Sequence, residues 1–185
     1  PCDKLSKTDL SVVNGTSTSD WETIVKLAKS SHKVIPAIGL HPWFVNEVAD
    51  NWQTQFLYAL SHAHAIGEIG LDQYWVKDYA ARQEDIFCSL IEVAQKHDKP
   101  IIIHSRKAEQ RCFDILKDMN VSRADFHCYG GKLKLAQKIA EAGYFLSIPP
   151  VVVRAESFQR LVQKLPLSQL LTETDCPYMG HEREQ

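Results

Sequence analysis

Short apolar runs alternate along this chain with longer segments in which apolar residues recur every three or four positions. The short runs predict seven strands, at residues 10–15, 34–40, 65–71, 101–103, 125–128, 144–148 and 170–174. The longer segments predict helices at residues 21–27, 52–61, 108–119, 133–142 and 155–165, and a long helix through residues 86–94 that ends before Pro100.

Strict alternation of strands and helices is typical of right-handed βαβ units that build a parallel sheet. The architecture we expect is α/β, a TIM (β/α)₈ barrel that forms one incomplete domain over residues 1–185. Seven strands are one short of a closed barrel, and no helix follows the last strand. We therefore expect that the first strand and the final helices are absent from this chain. An open doubly wound sheet is the competing fold.

Composition adds limits on the function. The 185 residues carry a formal net charge of −2, so no broad basic surface for nucleic acid is expected. Five scattered cysteines without a CxxC pair argue against a disulfide framework or a structural zinc site. Without an apolar run long enough for a membrane span, and without a signal peptide, the sequence predicts a cytoplasmic protein, with the nucleus as an alternative. We also expect the natural protein to extend before Pro1.

Four polar residues stand at the ends of four apolar, strand-like runs: Glu68, His104, His127 and Asp175. The carboxyl ends of barrel strands meet at one rim, and carboxylate and imidazole are the ligands that Mg²⁺, Mn²⁺ and Zn²⁺ accept. The pattern predicts a divalent-metal site. Asp175 is also the candidate general base that accepts a proton from water. Glu173 would contact the metal ligands without binding the metal itself.

Three of these residues have an ordinary alternative. Glu68 would otherwise be a surface carboxylate, His104 a hydrogen-bonded core histidine, and Asp175 a cap or turn residue. The metal interpretation is favoured for Glu68 because it lies in an otherwise apolar run, and a buried charge needs a partner.

Four further residues are candidate substrate contacts: His41, Arg106, Gly130 and Gly131. Arg106 would pair with a phosphate, and the glycines before a predicted helix would present N–H groups to an anion. The alternatives are a loop histidine for His41, a surface ion pair for Arg106 and a simple turn for the glycines.

The pair His62 and His64 resembles a metal-binding HxH motif but precedes Glu68 in the same strand unit. At roughly 3.3 Å per residue, it would lie about 13 to 20 Å from Glu68, near the opposite rim. We do not expect it to bind the functional metal.

Taken together, five segments resemble the TatD-type metal-dependent deoxyribonucleases of the amidohydrolase superfamily, in the same order and with compatible spacing. They are GLHP at 39–42, GEIGLD at 67–72, HSR at 104–106, HCYGG at 127–131 and ETDCP at 173–177. Two more, SIPP at 147–150 and KLPL at 164–167, resemble the eukaryotic branch of that family.

The resemblance implies a TIM-barrel hydrolase that uses divalent metal ions to cleave phosphodiester bonds, commonly in DNA and often from the 3′ end. It implies that Glu68, His104 and His127 form one metal position, that Asp175 serves the other, and that Glu68 bridges two ions. The family's first-strand Asp-x-His-x-His segment does not occur in this chain.

Three functions remain open from the sequence. The first is a metal-dependent nuclease that acts on DNA or another phosphodiester, with no protein partner evident. The second keeps the fold and the metal but hydrolyses a small ester, lactone or amide. The third is a non-catalytic barrel remnant that binds metal.

Overall fold

The computed structural model describes residues 10–49 and 51–175, and its described part contains one seven-stranded parallel sheet. Its strands pair in chain order from β1 to β7. They are β1 (Ser11–Gly15), β2 (Val34–Ile38), β3 (Ala65–Asp72), β4 (Ile101–Arg106), β5 (Ala124–Phe126), β6 (Phe145–Ile148) and β7 (Leu170–Thr172).

Six helices connect the strands. They are α1 (Trp21–Ser30), α2 (Trp52–Leu60), α3 (Ala80–Lys96), α4 (Glu109–Asp118), α5 (Leu133–Glu141) and α6 (Glu156–Lys164). Short 3₁₀ segments lie at Pro42–Phe44, Lys77–Tyr79, Pro150–Val153 and Leu167–Gln169. No helix among the described residues is long and apolar enough to cross a membrane.

The alternation of side chains along β4 shows how the sheet divides the molecule. Ile101, Ile103 and Ser105 are buried on one face, which carries the hydrophobic core. Ile102, His104 and Arg106 occupy the other face, because successive side chains of a strand point to opposite sides. His104 and Arg106 therefore lie on the face opposite the core, towards the carboxyl end of the strand.

The core between sheet and helices follows the predicted periodicity. In α3, Ile86, Leu90, Ile91 and Ala94 are buried, as their helical spacing predicts. They stabilise the helix on the sheet mainly by removing apolar surface from water, at about 25 cal/mol per Å².

The seven parallel strands curl into a half-barrel, which confirms the predicted TIM-barrel-like α/β architecture. The two ends of the predicted domain, residues 1–9 and 176–185, lie outside the described residues. Strand ends differ from the prediction. β4 continues to Arg106, and β5 already ends at Phe126, so His127 follows the strand instead of lying within it. β7 ends at Thr172, which leaves Glu173 and Asp175 beyond it.

Two glycines allow β3 and β4 to approach closely around Glu68. A Cβ atom on Gly67 would lie 2.5 Å from Cβ of Ile102, and one on Gly70 would lie 2.1 Å from the carbonyl oxygen of His104. Gly70 also has a φ of 136°, in a region that L side chains rarely adopt. Larger residues at these positions would push apart the two strands that carry Glu68 and His104.

Candidate metal centre

Glu68 lies at the centre of a group of histidines at the carboxyl ends of the strands. Its Oε2 atom lies 4.0 Å from Nε2 of His41 and 4.0 Å from Nδ1 of His104. Its Oε1 atom lies 3.8 Å from Nε2 of His127. The side chain is only 14% exposed, and burial raises the pKa of this carboxyl group. The two carboxylate oxygens thus face different imidazoles.

His104 is held from behind by the buried carboxylate of Asp72. Its Nε2 atom lies 3.0 Å from Oδ2 of Asp72, so that nitrogen carries the proton and donates. When the ring is neutral, Nδ1 keeps its lone pair and faces Glu68. This is the arrangement in which a carboxylate orients a metal-binding histidine.

Asp72 also ties two loops to the site. Its Oδ2 accepts a 2.7 Å hydrogen bond from the indole of Trp43, and its Oδ1 accepts hydrogen bonds from the backbone N–H groups of Tyr74 and Trp75 at 2.8 and 2.7 Å. Burial alone would raise the pKa of Asp72, but these hydrogen bonds and that of His104 hold the pKa well below its usual range. Asp72 is therefore an ionised, fully buried anchor.

A carboxylate also lies behind His127, on the β7 side, at ion-pair distance. The Nδ1 atom of His127 lies 2.7 Å from Oε2 of Glu173, while its Nε2 atom faces Glu68 and lies 3.5 Å from Oδ1 of Asp175. Burial alone would lower the pKa of His127, but the neighbouring carboxylates of Asp175, Glu173 and Glu68 raise it to about 11. In the metal-free protein a proton thus provides the positive charge that these carboxylates require.

His41 is held by a hydrogen-bond donor, whereas His104 is held by an acceptor. Its Nδ1 atom accepts a 3.2 Å hydrogen bond from the backbone N–H of Trp43, so Nε2 carries the proton when the ring is neutral. Burial lowers the pKa of His41 well below its usual value, and the positive charge of His104 lowers it further. His41 therefore presents an N–H group to Glu68, whereas His104 presents a lone pair.

The donor set suits a divalent cation. One atom from each of His41, Glu68 and His104 lies within 4.8 Å of the other two. The distances from Glu68 to His104 and His127 are less than about 4.2 Å, twice a typical bond from zinc to nitrogen or oxygen. Nε2 of His127 is buried without a hydrogen-bond partner in the described chain, as expected for an atom that waits for a ligand.

The structure brings together all four residues predicted to bind metal. Glu68, His104 and His127 form the centre, and Asp175 lies at its edge with a side chain that is 34% exposed. His41, predicted as a substrate contact, also lies in this group, which the sequence pattern did not indicate.

The other predicted substrate contacts lie outside the cluster of Glu68. Arg106 stacks over Tyr74, with its guanidinium carbon 4.8 Å from the ring centre. The sequence did not predict this contact, and the pairing of Arg106 with a phosphate stays a prediction. Gly130 and Gly131 precede α5 and line a groove of about 1080 Å³ beside the α4 start. His62 and His64 precede β3. His62 contacts Ser61 and Tyr58 at the end of α2.

Three residues of the site were missed by sequence reasoning: Asp72, Trp43 and Asn14. The amide of Asn14 lies 3.4 Å from Oε1 of Glu68, and its own Oδ1 is buried without a partner among residues 10–49 and 51–175. A signal existed for Asp72, an acidic residue that ends the buried β3. Its partner His104 is 32 positions away, and only the paired strands reveal that contact.

Comparison with known proteins agrees with this geometry. The family model described as TatD related DNase matches residues 4–185. An uncharacterized metal-dependent hydrolase of Methanocaldococcus jannaschii is 36% identical over 96% of this chain and 71% of its own length. The human protein named deoxyribonuclease TATDN3 is 27% identical over 89% of this chain and 66% of its own.

The fold comparison gives the same answer. The crystal structure of YjjV, a TatD homologue from Escherichia coli, superposes with a TM-score of 0.89 at 27% identity and covers 96% of this chain and 72% of that protein. The chain spans about two thirds of the length of the curated relatives that it matches, between 66 and 71% for the first three. It belongs to the TatD-related DNase family of metal-dependent hydrolases.

Proposed function

We propose that the protein is a divalent-metal-dependent phosphodiesterase that hydrolyses DNA, working from the 3′ end. The observation that carries the proposal is the pair of imidazoles, His104 and His127, that turn one nitrogen to Glu68 while a buried carboxylate holds the other. The carboxylates around these two rings are costly to bury without a cation that offsets their charge. The DNase family and the name of the human relative support DNA as the substrate, and the family resemblance supports the polarity.

The proposed metal ligands are Glu68, His104, His127 and Asp175. Glu68 directs its two oxygens to different imidazoles, which supports a bridging role between two ions in the complete protein. A divalent ion (Mg²⁺, Mn²⁺ or Zn²⁺) bound there would polarise a phosphate oxygen and lower the pKa of a coordinated water. Asp72 and Glu173 hold the two rings so that their lone pairs point inward.

Two residues would handle protons and charge on the substrate. Asp175 lies at the accessible edge of the centre and would accept the proton of the attacking water. His41 is neutral with an N–H that faces the centre, so it would donate a hydrogen bond to a phosphate oxygen and offset the developing negative charge.

Positive charge beside the centre supports an anionic polymer as the substrate. Arg106 is exposed at the end of β4, and the groove lined by Gly130 and Gly131 carries more basic than acidic side chains: Lys107, Arg111, Lys132, Lys134 and Lys138 against Glu84, Glu109 and Asp114. The overall charge of −2 makes this basic character local. We propose that the strand beyond the cleaved bond passes along this side.

Hydrolysis of end-labelled single-stranded DNA with Mg²⁺ or Mn²⁺ tests the proposal. We expect products to shorten stepwise from the 3′ end in the wild type, no products with a chelator, and none with His104→Ala. The matched control His62→Ala replaces an exposed histidine and retains full activity. Product formation that survives His104→Ala would contradict the assigned site.

A small ester, lactone or amide is the second candidate substrate. The formal net charge of −2 favours it, since a surface that is not basic does not require a polyanion. A panel of p-nitrophenyl phosphodiesters and carboxylic esters separates the two functions. A larger kcat/KM for the carboxylic esters would replace the nuclease proposal.

A further inference from the structure

Two large aromatic side chains are exposed beside the metal centre. Tyr74 is 51% exposed and Trp75 is 61% exposed, and they lie two and three residues beyond Asp72, the last residue of β3. The guanidinium carbon of Arg106 lies 4.8 Å from the ring centre of Tyr74 and 5.7 Å from that of Trp75. We call Tyr74, Trp75 and Arg106 the aromatic platform.

The platform is fixed to the metal centre on two sides. The backbone N–H groups of Tyr74 and Trp75 bind Oδ1 of Asp72, whose Oδ2 lies 3.0 Å from Nε2 of His104. Arg106 follows His104 by two residues on β4, so both side chains project from the same face of the strand. The platform therefore stands over the carboxyl end of β4, next to the proposed metal ligand His104.

The chemistry of the platform indicates its ligand. No carboxylate in the described part of the chain lies within ion-pair distance of Arg106, whose planar group is held against aromatic rings instead. Exposed aromatic faces beside a stacked guanidinium are the surface on which unpaired nucleobases stack. An aliphatic or acidic ligand would gain little from these π faces.

We propose that the aromatic platform stacks an unpaired nucleobase of the DNA strand, next to the phosphate that lies at the metal centre. The inference rests on the proposed function and adds the residues that would position the strand. Trp75 provides the open ring face, and Arg106 holds Tyr74 and Trp75 in place.

Binding of two fluorescently labelled strands tests the platform. One is a short oligothymidylate, and the other is an abasic strand of equal length that keeps every phosphate but lacks the bases. Fluorescence anisotropy is measured in Ca²⁺, with the strands checked for integrity. We expect the wild type to bind the oligothymidylate about tenfold more tightly, as one stacked base contributes.

The variants distinguish stacking from charge and from folding. Trp75→Ala is expected to lower the affinity for oligothymidylate to that for the abasic strand, which itself stays unchanged. Trp75→Phe keeps a ring and retains most of the difference. Arg106→Lys keeps the charge but loses the planar group and lowers only the oligothymidylate affinity. Tyr58→Ala removes a ring that is 69% exposed on α2 and changes nothing.

An equal loss for both strands, or an unchanged ratio in Trp75→Ala, would overturn the platform. Hydrolysis of the abasic strand shows whether the aromatic platform alone is wrong or whether the proposed phosphodiesterase function is also wrong. If Trp75→Ala cleaves the abasic strand at the wild-type rate while the binding ratio is unchanged, the platform is wrong and the phosphodiesterase stands. If the wild type cleaves neither strand, the proposed function fails, and the binding ratio still decides the platform.

Discussion

Three imidazoles face Glu68: one lies in the turn after β2, and two lie at the ends of β4 and β5. The turn holds its ring in the opposite way to the two strand ends. In the turn, a backbone N–H fixes the rear nitrogen of His41. At the strand ends, buried carboxylates face the rear nitrogens of His104 and His127. A donor behind the ring leaves an N–H in front, whereas an acceptor behind it leaves a lone pair.

The difference teaches that three similar histidines can have two roles. A metal ion needs a lone pair, so His104 suits it without any change of tautomer. His127 suits it once its front nitrogen gives up the proton that it carries in the metal-free protein. His41 would first have to break its bond from Trp43. By distance alone, His41 belongs to the same group as Glu68 and His104. The hydrogen bond behind each ring distinguishes His41, which has an N–H towards Glu68, from His104, which has a lone pair there.

The largest effect is expected from Glu68→Gln, because this residue lies between both kinds of histidine. An amide keeps the shape but loses the charge that faces three imidazoles. We expect kcat/KM for DNA to fall by about a thousandfold. Circular dichroism confirms that the variant is folded, and Glu22→Gln, which removes the exposed partner of Lys26 on α1, is the matched control. Activity within tenfold of the wild type would contradict a central role for Glu68.

His41→Ala is expected to lower kcat by about a hundredfold through the lost hydrogen bond to the phosphate. His62→Ala is the control, since His62 is exposed and contacts only the end of α2. Steady-state kinetics at saturating Mn²⁺ measure the effect. An unchanged kcat would show that the N–H of His41 does not touch the reacting group.

Substitution of Asp72 or Glu173, the carboxylates behind the imidazoles, should weaken metal binding less than substitution of a metal ligand. Asp72→Asn and Glu173→Gln each remove the charge behind an imidazole, and we expect each to weaken Mn²⁺ affinity about tenfold to a hundredfold. Equal effects would show that the β4 and β5 sides are held alike. If neither variant changes the affinity, the carboxylates do not orient the rings, and the comparison with His41 fails.

The smallest effects concern protons in the metal-free protein. The pKa of His127 is raised to about 11, so its contribution to stability is complete below about pH 6.5, the pKa of the unfolded chain, and is lost as the pH rises through about 11. His41 has a lowered pKa, so the unfolded chain takes up the proton first and stability falls as the pH drops below about 6.5.

Imidazole resonances in chelator-treated protein check both directions. We expect His127 to stay protonated between about pH 7 and 9, where an ordinary histidine is neutral. We expect His41 to stay neutral at about pH 5.5, where an ordinary histidine is protonated. Urea unfolding of His127→Gln in the same buffers tests the link to stability. A resonance of His127 that titrates near pH 6.5 would contradict the carboxylate-held state.

The sequence predicted the seven strands because each is a short apolar run, and it predicted the residues at their carboxyl ends because parallel strands share one rim. It did not predict strand lengths. β4 continues through His104 to Arg106 because it pairs with the end of β3, as far as Asp72. Such pairing depends on the neighbouring strand, which no local pattern encodes.

The candidate site shows the same limit. Glu68 was identifiable from its apolar surroundings, but the partnership of Asp72 with His104 joins residues 32 positions apart. The polarity of His41 depends on one backbone N–H in a 3₁₀ turn. Asp20 stands at the N-cap position of α1, yet its carboxylate accepts hydrogen bonds from the backbone N–H groups of Thr16 and Ser17 and none from the first turn of the helix.

Titration calorimetry with Mn²⁺ on His104→Ala, His127→Ala and His41→Ala tests the central claim most directly. The account predicts that the first two lose at least about a hundredfold in affinity, in line with the loss of a ligand or its support, while His41→Ala binds like the wild type. A loss in His41→Ala as large as that in His104→Ala would contradict it.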